Sequence, residues 1–199
     1  MKVLVSGATG HTGKRIVSEL LDAGHSPVAL VRESSDTSEL PEGCETRLGD
    51  LTDLPADACS GMDAVIFAAG SGSGTGPEMT DKVDRDGAKR LIDLSVASDV
   101  RRFVMLSSIG AGDSDPDHEL GHYLQAKHEA DEHLKATDLE YAILRPVALT
   151  DESGTGEVRL GENVDPKGEA ARGDVAKLLA DAAESPEWVG KVLHMERVG

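Results

Sequence analysis

A doubly wound α/β fold, a parallel sheet with helices on both faces in a single domain, is what this sequence predicts. Three observations carry the prediction. Apolar runs of strand length alternate along the chain with stretches of helical spacing. Between the first strand and the first helix stands the glycine-rich turn Gly7-Ala8-Thr9-Gly10-His11-Thr12-Gly13. The length, 199 residues, suits one domain with an ample core.

Lys2-Val3-Leu4-Val5 reads as the opening strand and Lys14-Arg15-Ile16-Val17-Ser18-Glu19-Leu20-Leu21 as the first helix. Strand, glycine turn and helix in that order make a dinucleotide phosphate site, where backbone amides and the helix dipole meet negative charge. The spacing is GxxGxxG and not GxGxxG. Gly7 allows a sharp turn, Gly10 allows close approach to a pyrophosphate, and Gly13 allows helix and strand to pack. The alternative is a structural turn with incidental glycines.

Pro27-Val28-Ala29-Leu30-Val31 is the second strand, followed by a polar loop from Glu33 to Glu39. A weaker strand, Glu45-Thr46-Arg47-Leu48, ends at Gly49-Asp50. Asp63-Ala64-Val65-Ile66-Phe67-Ala68-Ala69 is continuously apolar, as a strand buried on both faces must be. A glycine-rich stretch, Gly70 to Pro77, follows it directly and reads either as a lid over the reacting end of a cofactor or as a connector. One long helix is expected next, with Met79, Val83, Leu91, Ile92 and Val96 on helical spacing. Arg102-Phe103-Val104-Met105-Leu106 runs as a strand into Ser107-Ser108. A helix from about His118 to Ala136 follows, then the strand Glu140-Tyr141-Ala142-Ile143-Leu144, stopped by Pro146. The tail holds a helix around Val175 to Ala183 and the strand Lys191-Val192-Leu193-His194-Met195. A glycine turn on the first strand of such a sheet places a nucleotide at the carboxyl ends of the strands, where the strand order reverses.

The formal net charge is −17, from 37 acidic and 20 basic residues. Such a surface repels nucleic acid and anionic membranes, so the expected partner is a small molecule. The acidic segments Glu129-Ala130-Asp131-Glu132 and Asp181-Ala182-Ala183-Glu184 read as a solvated shell. Strong acidity with arginine outnumbering lysine suits a salt-rich cytoplasm, against the alternative of a merely acidic mesophile. Cys44 and Cys59 have no metal or redox spacing and are expected as reduced, buried or half-buried thiols. The chain enters a strand at once, and no apolar run approaches the ~20 residues of a spanning helix. A cytoplasmic location is expected. His118 and His122 lie four apart, but without a third ligand they read as surface histidines. Trp188 reads as a packing residue beneath the last strand.

Taken together, Gly7 to Gly13, Gly49-Asp50-Leu51, Ala68-Ala69-Gly70, Ser107-Ser108, Tyr123-Leu124-Gln125-Ala126-Lys127 and Leu144-Arg145-Pro146 resemble the short-chain dehydrogenase/reductase superfamily. Within it the chain is similar to the short atypical NAD(P)-binding members, the NAD(P)H-binding or NmrA-like type, and the likeness covers essentially the whole length. It implies a Rossmann-type sheet in one domain over 1–199, with small substrate-side elements over about 147–199.

Tyr123 and Lys127 share one helix face. A phenol is a poor acid–base catalyst at neutral pH, and a neighbouring ammonium favours its phenolate. The resemblance implies that Lys127 also grips the nicotinamide ribose and that a serine at the end of the fifth strand bonds the substrate oxygen. By position that serine is Ser108, with Ser107 in support. The alternative is an exposed Tyr and Lys on an acidic helix, with the serines capping a turn. Cofactor contacts are expected from Gly7, Thr9, Gly10, His11, Thr12, Gly13, Arg32, Asp50, Leu51, Ala68, Ala69, Gly70, Ser107, Lys127, Pro146 and Val147.

The second strand ends in Val31-Arg32-Glu33, so a cation precedes the acid. Arginine accommodates a 2′-phosphate where a carboxylate would hold a 2′-hydroxyl, which favours NADP and leaves NAD as the alternative. Asp50 either flanks adenine or caps the next turn. Two departures from the superfamily pattern stand out. Asp84 occupies the position where relatives often place asparagine, and Val147 stands where many have glycine, narrowing the nicotinamide end. No metal site is expected. The function expected is NADP-dependent oxidoreduction of a small carbonyl, hydroxyl or quinone-like substrate. A non-catalytic NAD(P)-binding sensor and a sugar-nucleotide epimerase type are the alternatives.

Overall fold

The computed structural model describes residues 1–72, 74–113 and 119–198. Eight strands form one sheet in the order β3-β2-β1-β4-β5-β6-β10-β8. These are β1 (Lys2–Ser6), β2 (Ser26–Val31), β3 (Glu45–Leu48), β4 (Ala64–Phe67), β5 (Arg102–Leu106), β6 (Glu140–Pro146), β8 (Val158–Leu160) and β10 (Lys191–Arg197). The short strands β7 (Ala148–Thr150) and β9 (Glu169–Ala171) pair separately. Every pairing in the main sheet is parallel except β10 with β8. The strand order reverses between β1 and β4, as the doubly wound reading requires.

Alternation along the strands builds two cores, because successive side chains of a strand leave opposite faces. Val3 and Val5 of β1, Ile66 of β4 and Val104 of β5 face α1 (His11–Asp22) and α5 (Arg172–Glu184). Leu4, Val65, Phe67, Phe103 and Met105 face α3 (Ala88–Ala97) and α4 (Gly121–Lys135). The central strands are buried on both sides, which is why their sequences read as unbroken apolar runs. The edge strand β3 is largely exposed, which explains its weak sequence signal.

Several expectations need correction. The long helix after the glycine-rich stretch is three segments: α2 (Pro77–Thr80), a π-helix over Asp81–Gly87, and α3. The wider π turn re-aims the chain, so Asp84 and Gly87 point inward and Val96 near the end of α3 is exposed. The strand expected over Glu140 to Leu144 runs two residues further and stops at Pro146, as its last residue. The antiparallel strand β8 was too short and too polar to read. His118 lies outside the described residues, and the helix it was expected to open begins at Gly121. Trp188 is buried, with its indole N–H donating to Asp181 at 2.7 Å. Neither thiol is paired, Cys59 being buried and Cys44 half-buried. Among the described residues, no helix is long and apolar enough to cross a membrane.

Candidate functional site

The turn after β1 is a cradle that only glycine can form. Gly7 has φ +75°, and a Cβ there would lie 2.7 Å from the Ala68 carbonyl at the end of β4. A Cβ on Gly13 would stand 2.0 Å from the Gly7 carbonyl oxygen, so the helix start lies directly on the turn. Gly10 is the N-cap of α1, and no side chain bonds the amides of the first turn. Uncapped amides converging on a glycine-lined hollow fit the pyrophosphate of a dinucleotide.

From this cradle a cleft of about 260 Å³ opens along the carboxyl ends of β1, β2 and β4. Gly7, Thr9, Gly10, Arg32, Asp50, Leu51, Ala68, Ala69 and Gly70 line it, nine of the residues expected from sequence. Ser6, Leu30, Ser35, Gly49, Ser71, Met79 and Val83 complete it. Ser35 was missed because its role appears only in three dimensions, where its hydroxyl accepts the Arg32 backbone N–H at 3.0 Å. The Arg32 side chain is exposed and has no ion-pair partner among the described residues. Asp50 closes the turn that follows β3 and also stands in the cleft wall. It accepts the Thr52 N–H at 2.8 Å, a bond that holds its carboxyl below the usual range. Thr12 and Gly13 are buried under the turn, and His11 faces outward, 3.0 Å from Asp151.

A second cavity, of about 660 Å³, meets the cleft at Gly70 and Ser71. Tyr123 lines it from α4 and Thr80 from α2. Behind Tyr123 the Lys127 side chain is 2 % exposed, with its ammonium 3.9 Å from Asp84 Oδ1 and 5.4 Å from the centre of the Phe67 ring. Asp84 is fully buried, accepts the Ser71 backbone N–H at 3.0 Å through Oδ2, and leaves Oδ1 without a hydrogen bond. One carboxylate thus tethers the start of the glycine-rich stretch and faces the buried ammonium.

The solvated-shell reading of Asp131 is overturned. Asp131 lies one turn beyond Lys127, is fully buried, and accepts from Ser107 Oγ at 2.7 Å and Arg145 Nε at 3.0 Å. Burial pushes its carboxyl above the ordinary range, against the pull of Ser107 and Arg145. Helical spacing held the signal, since residues 123, 127 and 131 share one stripe. The Ser107 hydroxyl is therefore engaged with Asp131, whereas the Ser108 hydroxyl donates to the neighbouring Ile109 carbonyl at 3.3 Å. Pro146 and Val147 are buried, and Val147 packs in the α1/α5 core, so it does not narrow a cavity as expected. His122 pairs with Asp81 at 3.0 Å, and no metal-ligand cluster occurs among the described residues.

Comparison with known proteins agrees with this geometry. A family model described as NAD(P)H-binding matches residues 7–186. The chain is 40 % identical to an uncharacterized sugar epimerase, YhfK, of Bacillus subtilis, over 90 % of this chain and 86 % of that one. It superposes with TM-score 0.94 and 36 % identity on a Bacillus halodurans protein provisionally described as an NAD-dependent epimerase/dehydratase, covering 100 % of this chain and 94 % of that chain. A further structure, the anaerobilin reductase ChuY of Escherichia coli O157:H7, matches with TM-score 0.83 and 26 % identity over 99 % of this chain and 97 % of that one.

Proposed function

The chain belongs to the NAD(P)H-binding family, and from that premise we propose that it is an NADP-dependent oxidoreductase of a small carbonyl or hydroxyl compound, with Tyr123 as its acid. One observation carries the reading: Tyr123 borders a cavity that joins the glycine-turn cleft, and Lys127, one turn further along α4, is buried against Asp84. The amides around Gly7, Thr9 and Gly10 would hold the pyrophosphate, and Asp50 and Leu51 the adenine. Arg32, an exposed cation in the wall of the cleft, supports a 2′-phosphate and therefore NADP.

Bound there in reduced form, the coenzyme supplies a hydride to the substrate carbon. The protein handles the accompanying proton. Tyr123 donates it to the carbonyl oxygen, so that the oxygen never carries a full charge. We assign Ser108, at the carboxyl end of β5, as a second donor to that same oxygen. Lys127, four residues along the same helix face, carries a positive charge on that side of the site. Asp84 balances that charge and keeps the ammonium in place. The two unpaired thiols suit a reducing compartment, which supports a cytoplasmic location.

Replacing Tyr123 by Phe is expected to lower kcat about 10²- to 10⁴-fold while leaving coenzyme affinity unchanged. Unchanged turnover across a carbonyl panel would remove this mechanism. A second reading is favoured by the names of two relatives: an epimerase type that keeps its NAD and returns the hydride to the same substrate. It predicts coenzyme retained through purification and none consumed. A sensor would take up coenzyme and turn over nothing.

A further inference from the structure

Each aromatic ring of this chain has an identifiable place. There are two Phe, two Tyr and one Trp, and the residues outside the described ones include none of them. Phe67 and Phe103 are fully buried, and Trp188 is buried with its indole bonded to Asp181. Tyr141 packs against the α3/α4 core. Tyr123 alone reaches the second cavity. The remaining walls of that cavity are mostly small residues, Gly70, Ser71, Gly72, Gly74, Thr75, Pro77 and Thr80. Leu120, the Glu119 carboxylate and the His122 imidazole complete them, so hydroxyls stand among apolar groups and no second large ring enters.

Flat conjugated molecules gain much of their binding from stacking on rings, and Tyr123 is engaged at the reacting oxygen. An anion entering here meets the Glu119 carboxylate in the wall, while Asp81 already neutralises the His122 side. Hydroxyl groups, by contrast, find both donors and acceptors. Ser and Thr hydroxyls and loop carbonyls offer each in turn, and the Ser71 and Thr80 hydroxyls already lie 3.3 Å apart.

We propose that the Tyr123 cavity takes a small, uncharged, hydroxylated carbonyl compound, or the matching polyol in the reverse direction, and not a flavin, quinone, tetrapyrrole or keto acid. The inference rests on the oxidoreductase reading and gives its substrate class. The step balances: the carbonyl carbon gains a hydride with its electron pair from the reduced coenzyme, the oxygen gains the Tyr123 proton, and solvent restores that proton.

The test uses the full chain with NADPH, following coenzyme oxidation against three sets of carbonyls. These are dihydroxyacetone, glyceraldehyde and erythrulose; then menadione, FMN and biliverdin; then pyruvate and glyoxylate. The expected result is a kcat/KM for the best hydroxylated compound at least about tenfold above every flat or anionic one. Glu119→Gln is expected to raise kcat/KM for the keto acids about threefold, since it removes one partly screened repulsion. Saturation-transfer NMR with the oxidised coenzyme present should show the polyols bound. A flat ring or keto acid turned over as fast as the hydroxylated set overturns this inference and leaves the oxidoreductase reading standing. Coenzyme uptake with no oxidation by any member overturns both.

Discussion

Asp131 illustrates what a single side chain can hide. Its sequence setting is that of a surface acid, yet it is fully buried between Ser107 and Arg145. Burial raises its folded-state pKa above the unfolded value. A carboxyl of that kind favours the folded state most where it is protonated. Its contribution is complete below the ordinary carboxylate range and is lost as pH rises through the raised pKa. The stability of the wild type relative to Asp131→Asn is therefore expected to be greatest near pH 4 and to shrink toward neutrality. Urea unfolding of both proteins at pH 4, 5, 6 and 7 measures this. A difference that stays constant or grows with pH would count against a raised carboxyl.

At the scale of elements, the π-helix over Asp81–Gly87 and the fourth α-helix hold the site together. The π turn aims Asp84 inward, where it faces Lys127 of α4 at 3.9 Å and holds the Ser71 amide. Removing one member of a buried pair leaves the other charge uncompensated, whereas removing both does not. Asp84→Asn should cost about 3 kcal/mol of stability, and adding Lys127→Met should recover part of it. A double-mutant cycle by urea unfolding reads the coupling, and strictly additive effects would mean that the two groups do not support each other. Element order was legible because alternation of apolar runs and helical stripes survives in the sequence. The π-helix was not, since a single inserted residue leaves the apolar spacing nearly intact. The glycine turn was legible down to individual positions, because close backbone approach excludes every other residue. By contrast, Ser35 and Ser71 reach the cavities through loop geometry and Thr80 from the short helix α2, and nothing in their spacing announces it.

For the whole molecule, charge and coenzyme binding are the properties to measure. Seventeen net negative charges on one domain repel one another, and added salt screens them within about 10 Å at 0.1 M. The melting temperature should therefore rise between dilute buffer and 0.5 M KCl, by several degrees if stability gains about 1 kcal/mol. Full stability in dilute buffer, unmoved by salt, would contradict a chain suited to a salt-rich interior. The parallel sheet covered on both faces was readable from the amino-acid pattern alone, whereas the strand order and the antiparallel β8 were not. Which side chains meet at Tyr123 became visible only once α4 was set against the π-helix.

Titration calorimetry of NADPH and NADH into the folded full chain tests the coenzyme site most directly. One coenzyme bound per chain is expected, with NADPH tighter than NADH and Arg32→Ala closing most of that gap. Correctly folded protein that takes up neither coenzyme, oxidised or reduced, would contradict the account.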